Sequence, residues 1–128
     1  MANLRRINQE DLRNHNLSVT LDTLLRAQKP MSRADLAKET GLTKATLSLL
    51  ASMLIESGVV QEGEPVVSTT YGRPSTPLEI RGGFIAGIGL QINTDGYGCL
   101  ALDLNGDTLG REWVSEDMTG TDPYEIFA

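Results

Sequence analysis

The feature that most constrains this chain is a pair of short helical signals separated by a stop and a new start. They read Ser32-Arg33-Ala34-Asp35-Leu36-Ala37, then Gly41-Leu42, then Thr43-Lys44-Ala45-Thr46-Leu47. Ser32 and Asp35 have capping-box spacing, with Asp in place of the preferred Glu or Gln, so a helix begins there and turns Leu36 and Ala37 inward. Gly41 ends it by offering a left-handed position. Thr43 caps a further helix that carries Leu47, Leu50 and Leu54 on one face and meets Gly58 at its end. So few residues between two helices force a sharp crossing, which is the helix-turn-helix pattern. An earlier helix is expected between Leu12 and Ala27, where Leu17, Leu21, Leu24 and Leu25 recur at three- and four-residue spacing before Lys29-Pro30 ends the run.

Past Gly58 the periodicity changes. Val59-Val60 and Val66-Val67 are strand formers, Ser68 to Pro77 is rich in turn residues, and Leu78-Glu79-Ile80 returns as a strand, so a hairpin wing is expected beside the helices. Beyond Gly83 the chain reads as β. Phe84, Ala86, Ile88, Leu90 and Ile92 share a face at period two, and Asp95-Gly96 supplies a two-residue turn. Leu100, Leu102 and Leu104 form the same face of a second strand, and Asn105-Gly106 turns into a third through Leu109 and Trp113. The expectation is a three-stranded meander with one leucine-rich face and a glycine-rich, partly apolar back face. Thr121-Asp122-Pro123 then opens a helix that has barely begun at Ala128. A sheet of this kind needs covering layers, so the chain is expected to stop inside a larger domain.

Charge divides the chain at the same place. The net charge of −6 is made of +1 over residues 1 to 81, with ten basic and nine acidic residues, and −7 over residues 82 to 128, where Arg111 faces eight acids. Two units are therefore expected, 1–81 helical with a wing and 82–128 β, giving an α+β chain. One cysteine, Cys99, closes no intramolecular disulfide and suits a reducing compartment. The longest uncharged stretch, Gly82 to Thr94, is too short and too broken by glycine for a membrane span. The basic start has no apolar run behind it, unlike a signal peptide. A cytoplasmic location is expected.

Catalytic apparatus is not visible. His15 is the only histidine, no Ser, Cys or Lys nucleophile has a base beside it in sequence, and Cys99 reads as a small apolar strand residue. Recognition has a stronger physical case. The second helix of a helix-turn-helix offers its N-terminal side chains to base edges and its free N–H groups to phosphate. Thr43, Lys44, Thr46 and Ser48 stand there, short for the most part and all able to donate. Arg33 begins the preceding helix, placed to reach the phosphate backbone. In Thr69-Thr70-Tyr71-Gly72-Arg73-Pro74, Gly72 and Pro74 hold Arg73 on an extended loop without bulky neighbours, the shape of a probe for a narrow A·T-rich minor groove. The spacing also suits a protein-interaction module, in which Thr43 is only a cap and Lys44 only a solvated charge.

Taken together, Leu12-Arg13-Asn14-His15-Asn16, the Ser32–Ala37 and Thr40–Ser48 segments and Gly72-Arg73-Pro74 resemble the winged-helix regulators of the ROK (repressor, open reading frame, kinase) family. The resemblance extends over nearly the whole chain. It implies a DNA-binding N-terminal domain followed by the first strands of an actin-like, sugar-kinase-like domain that binds a sugar or sugar phosphate and dimerises. On that resemblance Gly83 to Val114 corresponds to the first three strands. Two features depart from the family pattern. Gly89 stands where kinase members carry a carboxylate, with Gln91 and Ile92 where glycines would admit phosphate, so phosphoryl transfer is not expected. Leu49 stands where many relatives place a basic residue just after Ser48. The implied function is a sequence-specific transcriptional regulator of sugar metabolism, a repressor, with no cofactor or metal assigned within these residues. The alternatives are a sugar-kinase fragment, an interaction module or a gene remnant. With Arg33, Lys44, Arg73 and one of Arg5 or Arg6 each neutralising a phosphate or sitting in the groove, log K against log salt should fall with a slope of about −3.6, so useful affinity calls for two half-sites and a dimer.

Overall fold

The computed structural model describes residues 8–66 and 74–126. The chain divides into two compact units, Met1–Arg81 and Gly82–Ala128.

The first unit contains α1 (Gln9–Ala27), α2 (Arg33–Thr40), α3 (Lys44–Ser57), β1 (Val60–Glu62) and β2 (Leu78–Ile80). Helix α1 starts three residues before the expected Leu12 because Asn8 and Asp11 form a reciprocal capping box. It ends at Gln28, which takes the left-handed conformation at φ 52°, so the stop precedes Lys29-Pro30. The other caps fall where expected. Ser32 accepts the N–H of Asp35, Gly41 closes α2 at φ 73°, Thr43 accepts the N–H of Thr46, and Gly58 closes α3 at φ 87°. Leu24, Leu36, Ala37, Leu47, Leu50, Ala51 and Leu54 are buried with Val60, Leu78 and Ile80, so three helices and a hairpin share one core. Thr20, fully buried in α1, donates its hydroxyl to the Asn16 carbonyl and so leaves no unpaired polar group in that core. Strands β1 and β2 pair antiparallel from Val60↔Ile80 to Glu62↔Leu78. Met31 pairs on the other side of Leu78 through two backbone hydrogen bonds of 2.9 and 2.7 Å, which ties the α1–α2 connection to the hairpin. Val66↔Ser75 extends the hairpin toward its tip.

The second unit is an antiparallel meander of β3 (Ala86–Asn93), β4 (Gly96–Asp103) and β5 (Thr108–Ser115), followed by the single turn α4 (Pro123–Ile126), whose start Asp122 caps by accepting the N–H of Tyr124. The turn residues between β3 and β4 are Thr94 and Asp95, with Asn93 opposite Gly96. The expected single leucine-rich face does not form. Ile88, Leu90 and Ile92 lie opposite Ala101, Cys99 and Tyr97, whereas Leu100 and Leu102 lie opposite Gly89 and Gly87 on the other face. The reason is geometric. A two-residue turn pairs each even-numbered residue of one strand with an odd-numbered residue of the next, so even-numbered aliphatics on β3 and β4 must face opposite ways. Leu104 sits in the following turn, outside the strand. Trp113 packs over Gly96 and Gly98: a Cβ on Gly98 would lie 2.7 Å from Trp113 Cε3 and would crowd the Glu112 carbonyl oxygen. Leu109 is the extra residue of a bulge, since Ala101 pairs with Gly110 and Leu102 with Thr108.

Candidate nucleic-acid interface

The local chemistry of the α2–α3 turn determines what α3 presents. Gly41 directs its N–H to the Ala37 carbonyl at 2.9 Å, and Thr43, extended at φ −68° and ψ 154°, begins α3 two residues later. The Thr43 hydroxyl accepts the N–H of Thr46 at 3.2 Å and donates to the Thr46 hydroxyl oxygen at 2.9 Å. Thr43 is thus fully engaged as a cap, while Thr46 retains its own hydroxyl proton. Burying Leu47, Leu50, Ala51 and Leu54 leaves Lys44, Ala45, Ser48, Leu49 and Ser52 on the outer face of α3. Lys44 is exposed, and its side chain makes no hydrogen bond or ion pair among the described residues. Ser48 is exposed, and its carbonyl accepts the Ser52 hydroxyl at 3.0 Å. Lys44, Thr46 and Ser48 therefore stand on one helix end, and the first N–H groups of α3 open at the same end.

Arg33 is placed differently from a free phosphate ligand. Its Nη2 donates to Glu62 Oε1 on β1 at 2.9 Å, with the guanidinium side chain 34% exposed. This uses one of its five N–H groups and places a carboxylate beside the cation. Sequence spacing gives no sign of this pairing, because the partners are 29 residues apart. Pro74 is exposed, next to the Val66↔Ser75 bridge. Gly72 and Arg73 lie outside the described residues.

Two features escaped the reading of the sequence. Glu62 is one. The other is that Leu49, singled out only as a missing basic residue, forms an outer strip with Ala45 and Ser52, which helical periodicity alone could have revealed once Leu47, Leu50 and Leu54 are assigned inward. His15 is exposed on α1, and Cys99 is half-buried on β4. No described helix is long and apolar enough to cross a membrane.

Three crossing helices, a tight Gly41-Leu42-Thr43 turn and a paired hairpin make up this unit, and residues 20–64 match the IclR helix-turn-helix domain. The N-terminal unit is a winged helix-turn-helix domain. The chain is also similar to the crystal structure of a ROK family transcriptional regulator, a homolog of the E. coli MLC protein, with a TM-score of 0.59 and 19% identity. The match covers 90% of this chain and 31% of that regulator, so the chain spans about a third of its length. At that identity the likeness establishes the fold: a winged helix-turn-helix domain followed by antiparallel strands. No curated protein matches the chain.

Proposed function

We propose that this chain is the N-terminal portion of a ROK-type transcriptional regulator, and that its winged helix-turn-helix domain, residues 1–81, binds duplex DNA in a sequence-specific manner. The observation that carries the reading is Lys44, exposed and unpaired at the open N-terminal end of α3, beside Thr46 and Ser48. In this geometry α3 enters the major groove with Thr46 and Ser48 toward base edges and Lys44 toward a phosphate. Thr43 fixes the helix end, with its own hydroxyl held inside the turn. Arg33 contacts the backbone through the N–H groups that Glu62 leaves open, and the Gly72-Arg73-Pro74 tip takes the minor groove. Residues 82–128 are the first strands of a sugar-kinase-like domain. The complete protein is a cytoplasmic homodimer that responds to a sugar or sugar phosphate and acts as a repressor of sugar metabolism, without catalysis of its own. The departures at Gly89, Gln91 and Ile92 support the non-enzymatic reading over a sugar-kinase fragment.

Salt dependence tests the DNA-binding reading. With a duplex selected by the chain from a randomised pool, about four cations on phosphates or in the groove give a slope of about −3.6 and a loss of about 150-fold between about 50 and 200 mM salt. If Glu62 keeps Arg33 neutralised, about three contacts remain, with a slope of about −2.7 and a loss of about 40-fold. Lys44→Ala should reduce the slope by about one. Salt-insensitive binding, or a Lys44→Ala variant with unchanged affinity and slope, would refute the reading.

A further inference from the structure

Leu49 is 62% exposed on the outer face of α3, whereas Leu47, Leu50 and Leu54 of the same helix are buried. It lies one turn beyond Ala45, and Ser48 and Ser52 flank it, all of them exposed. Between Lys44 at one end of the helix and Glu56 near the other, this strip carries no charge. It can therefore be pressed against base edges without burying an unpaired ion.

What α3 lacks is as informative as what it carries. Its sequence, Lys44-Ala45-Thr46-Leu47-Ser48-Leu49-Leu50-Ala51-Ser52-Met53-Leu54-Ile55-Glu56-Ser57, contains no arginine, asparagine or glutamine. Bidentate readings of guanine by arginine and of adenine by asparagine or glutamine are thus closed to this helix, and its single cation, Lys44, lies at the N-terminal end, where the reading above gives it to a phosphate. Ser52 directs its hydroxyl at the Ser48 carbonyl, which removes another donor from the strip. Of the readouts a major groove offers, contact with the thymine methyl is the one an apolar side chain performs. We propose that Leu49, with Ala45 one turn before it, is a specificity-determining contact that recognises the 5-methyl groups of thymine in the major groove. The inference rests on the reading of this unit as a DNA binder and names the base chemistry that α3 selects.

Deoxyuridine differs from thymidine only in lacking that methyl, so it isolates the contact. The chain is titrated against a duplex it selects from a randomised pool and against the same duplex with each thymine replaced in turn by deoxyuridine. At one or two positions the replacement should weaken binding about four-fold, the worth of roughly one buried methylene. Leu49→Ala should weaken binding to the thymine duplex by a similar factor and make no further difference on the deoxyuridine duplex, because the two changes remove one contact. An exposed leucine replaced by the best helix former leaves the fold intact, which a thermal melt verifies. Leu49→Lys supplies a second variant, expected to bind while losing the thymine preference. Equal binding of all duplexes by the parent chain, or losses that simply add, would overturn the proposal. So would a Leu49→Ala variant that changes self-association and not DNA binding, which would make the strip a contact between copies. Failure to select any duplex would refute the DNA-binding reading itself, and thereby separates the two claims.

Discussion

Thr43 shows how one side chain settles a local structure while its neighbours keep their chemistry. Its hydroxyl both receives the Thr46 N–H and donates to the Thr46 oxygen, so the start of α3 is fixed within the chain and Lys44 stays free. Such caps are legible in sequence because both partners lie within three residues. Arg33 with Glu62 is the opposite case, a pair that only the packing of α2 beside β1 creates. Asp103 combines the two kinds, with partners two and four residues ahead of it and a third twenty residues before it. Its Oδ1 accepts the N–H groups of Asp107 and Asn105, both at 2.9 Å, and its Oδ2 accepts that of Gly83 at 3.0 Å. The Asp107 N–H chiefly, against the opposing effect of burial, and then the Gly83 and Asn105 N–H groups hold this carboxyl below the ordinary 3.8. The folded value is thus lower than the unfolded one. The stabilisation is complete above the unfolded value and is lost as pH falls through the folded value, below about 3.8. Melts followed by Trp113 fluorescence should show a lower Tm for Asp103→Asn at neutral pH and a flatter acid limb. Acid limbs that run parallel would contradict this role.

At the scale of elements, the helices were the most legible part because their signals are local and repeated. The boundaries of α1 moved only because Asn8 and Asp11 cap it earlier than the leucine pattern begins. Strand positions were legible too, from alternation and turn residues. The assignment of faces was not, because period two within a strand says nothing about its neighbour until the turn length sets the pairing. Once Asn93 faces Gly96, the leucines of β4 turn away from those of β3, and Trp113 settles on the glycines of the other side. Gly98 is then a packing position rather than a flexible one. Gly98→Ala drives a methyl into Trp113 and the Glu112 carbonyl, so it should destabilise the second unit by about 1–3 kcal/mol. Chemical denaturation read through Trp113 measures it, and an unchanged or raised midpoint would show that β5 shifts without cost. The bulge at Leu109 had no signal in the sequence.

At the scale of the whole chain, charge and periodicity mark two units, and the strand pairing stays within each, β1 with β2 in the first and β4 between β3 and β5 in the second. The second nevertheless leaves Ile88 73% exposed, with Leu90, Ile92, Leu100 and Trp113 also in the open, spread over both faces of the sheet. The first buries its core and exposes one helix end built from Lys44, Thr46 and Ser48. The DNA recognition proposed above is assigned to this first unit. Amide chemical-shift mapping of the chain, titrated with its selected duplex, tests this most directly. Shifts should concentrate on Thr43 to Ser52, with further shifts at Val66 and Ser75 at the base of the wing, and little change along β3. Shifts concentrated on Ala86 to Asn93, or none at all under saturating duplex, would contradict it.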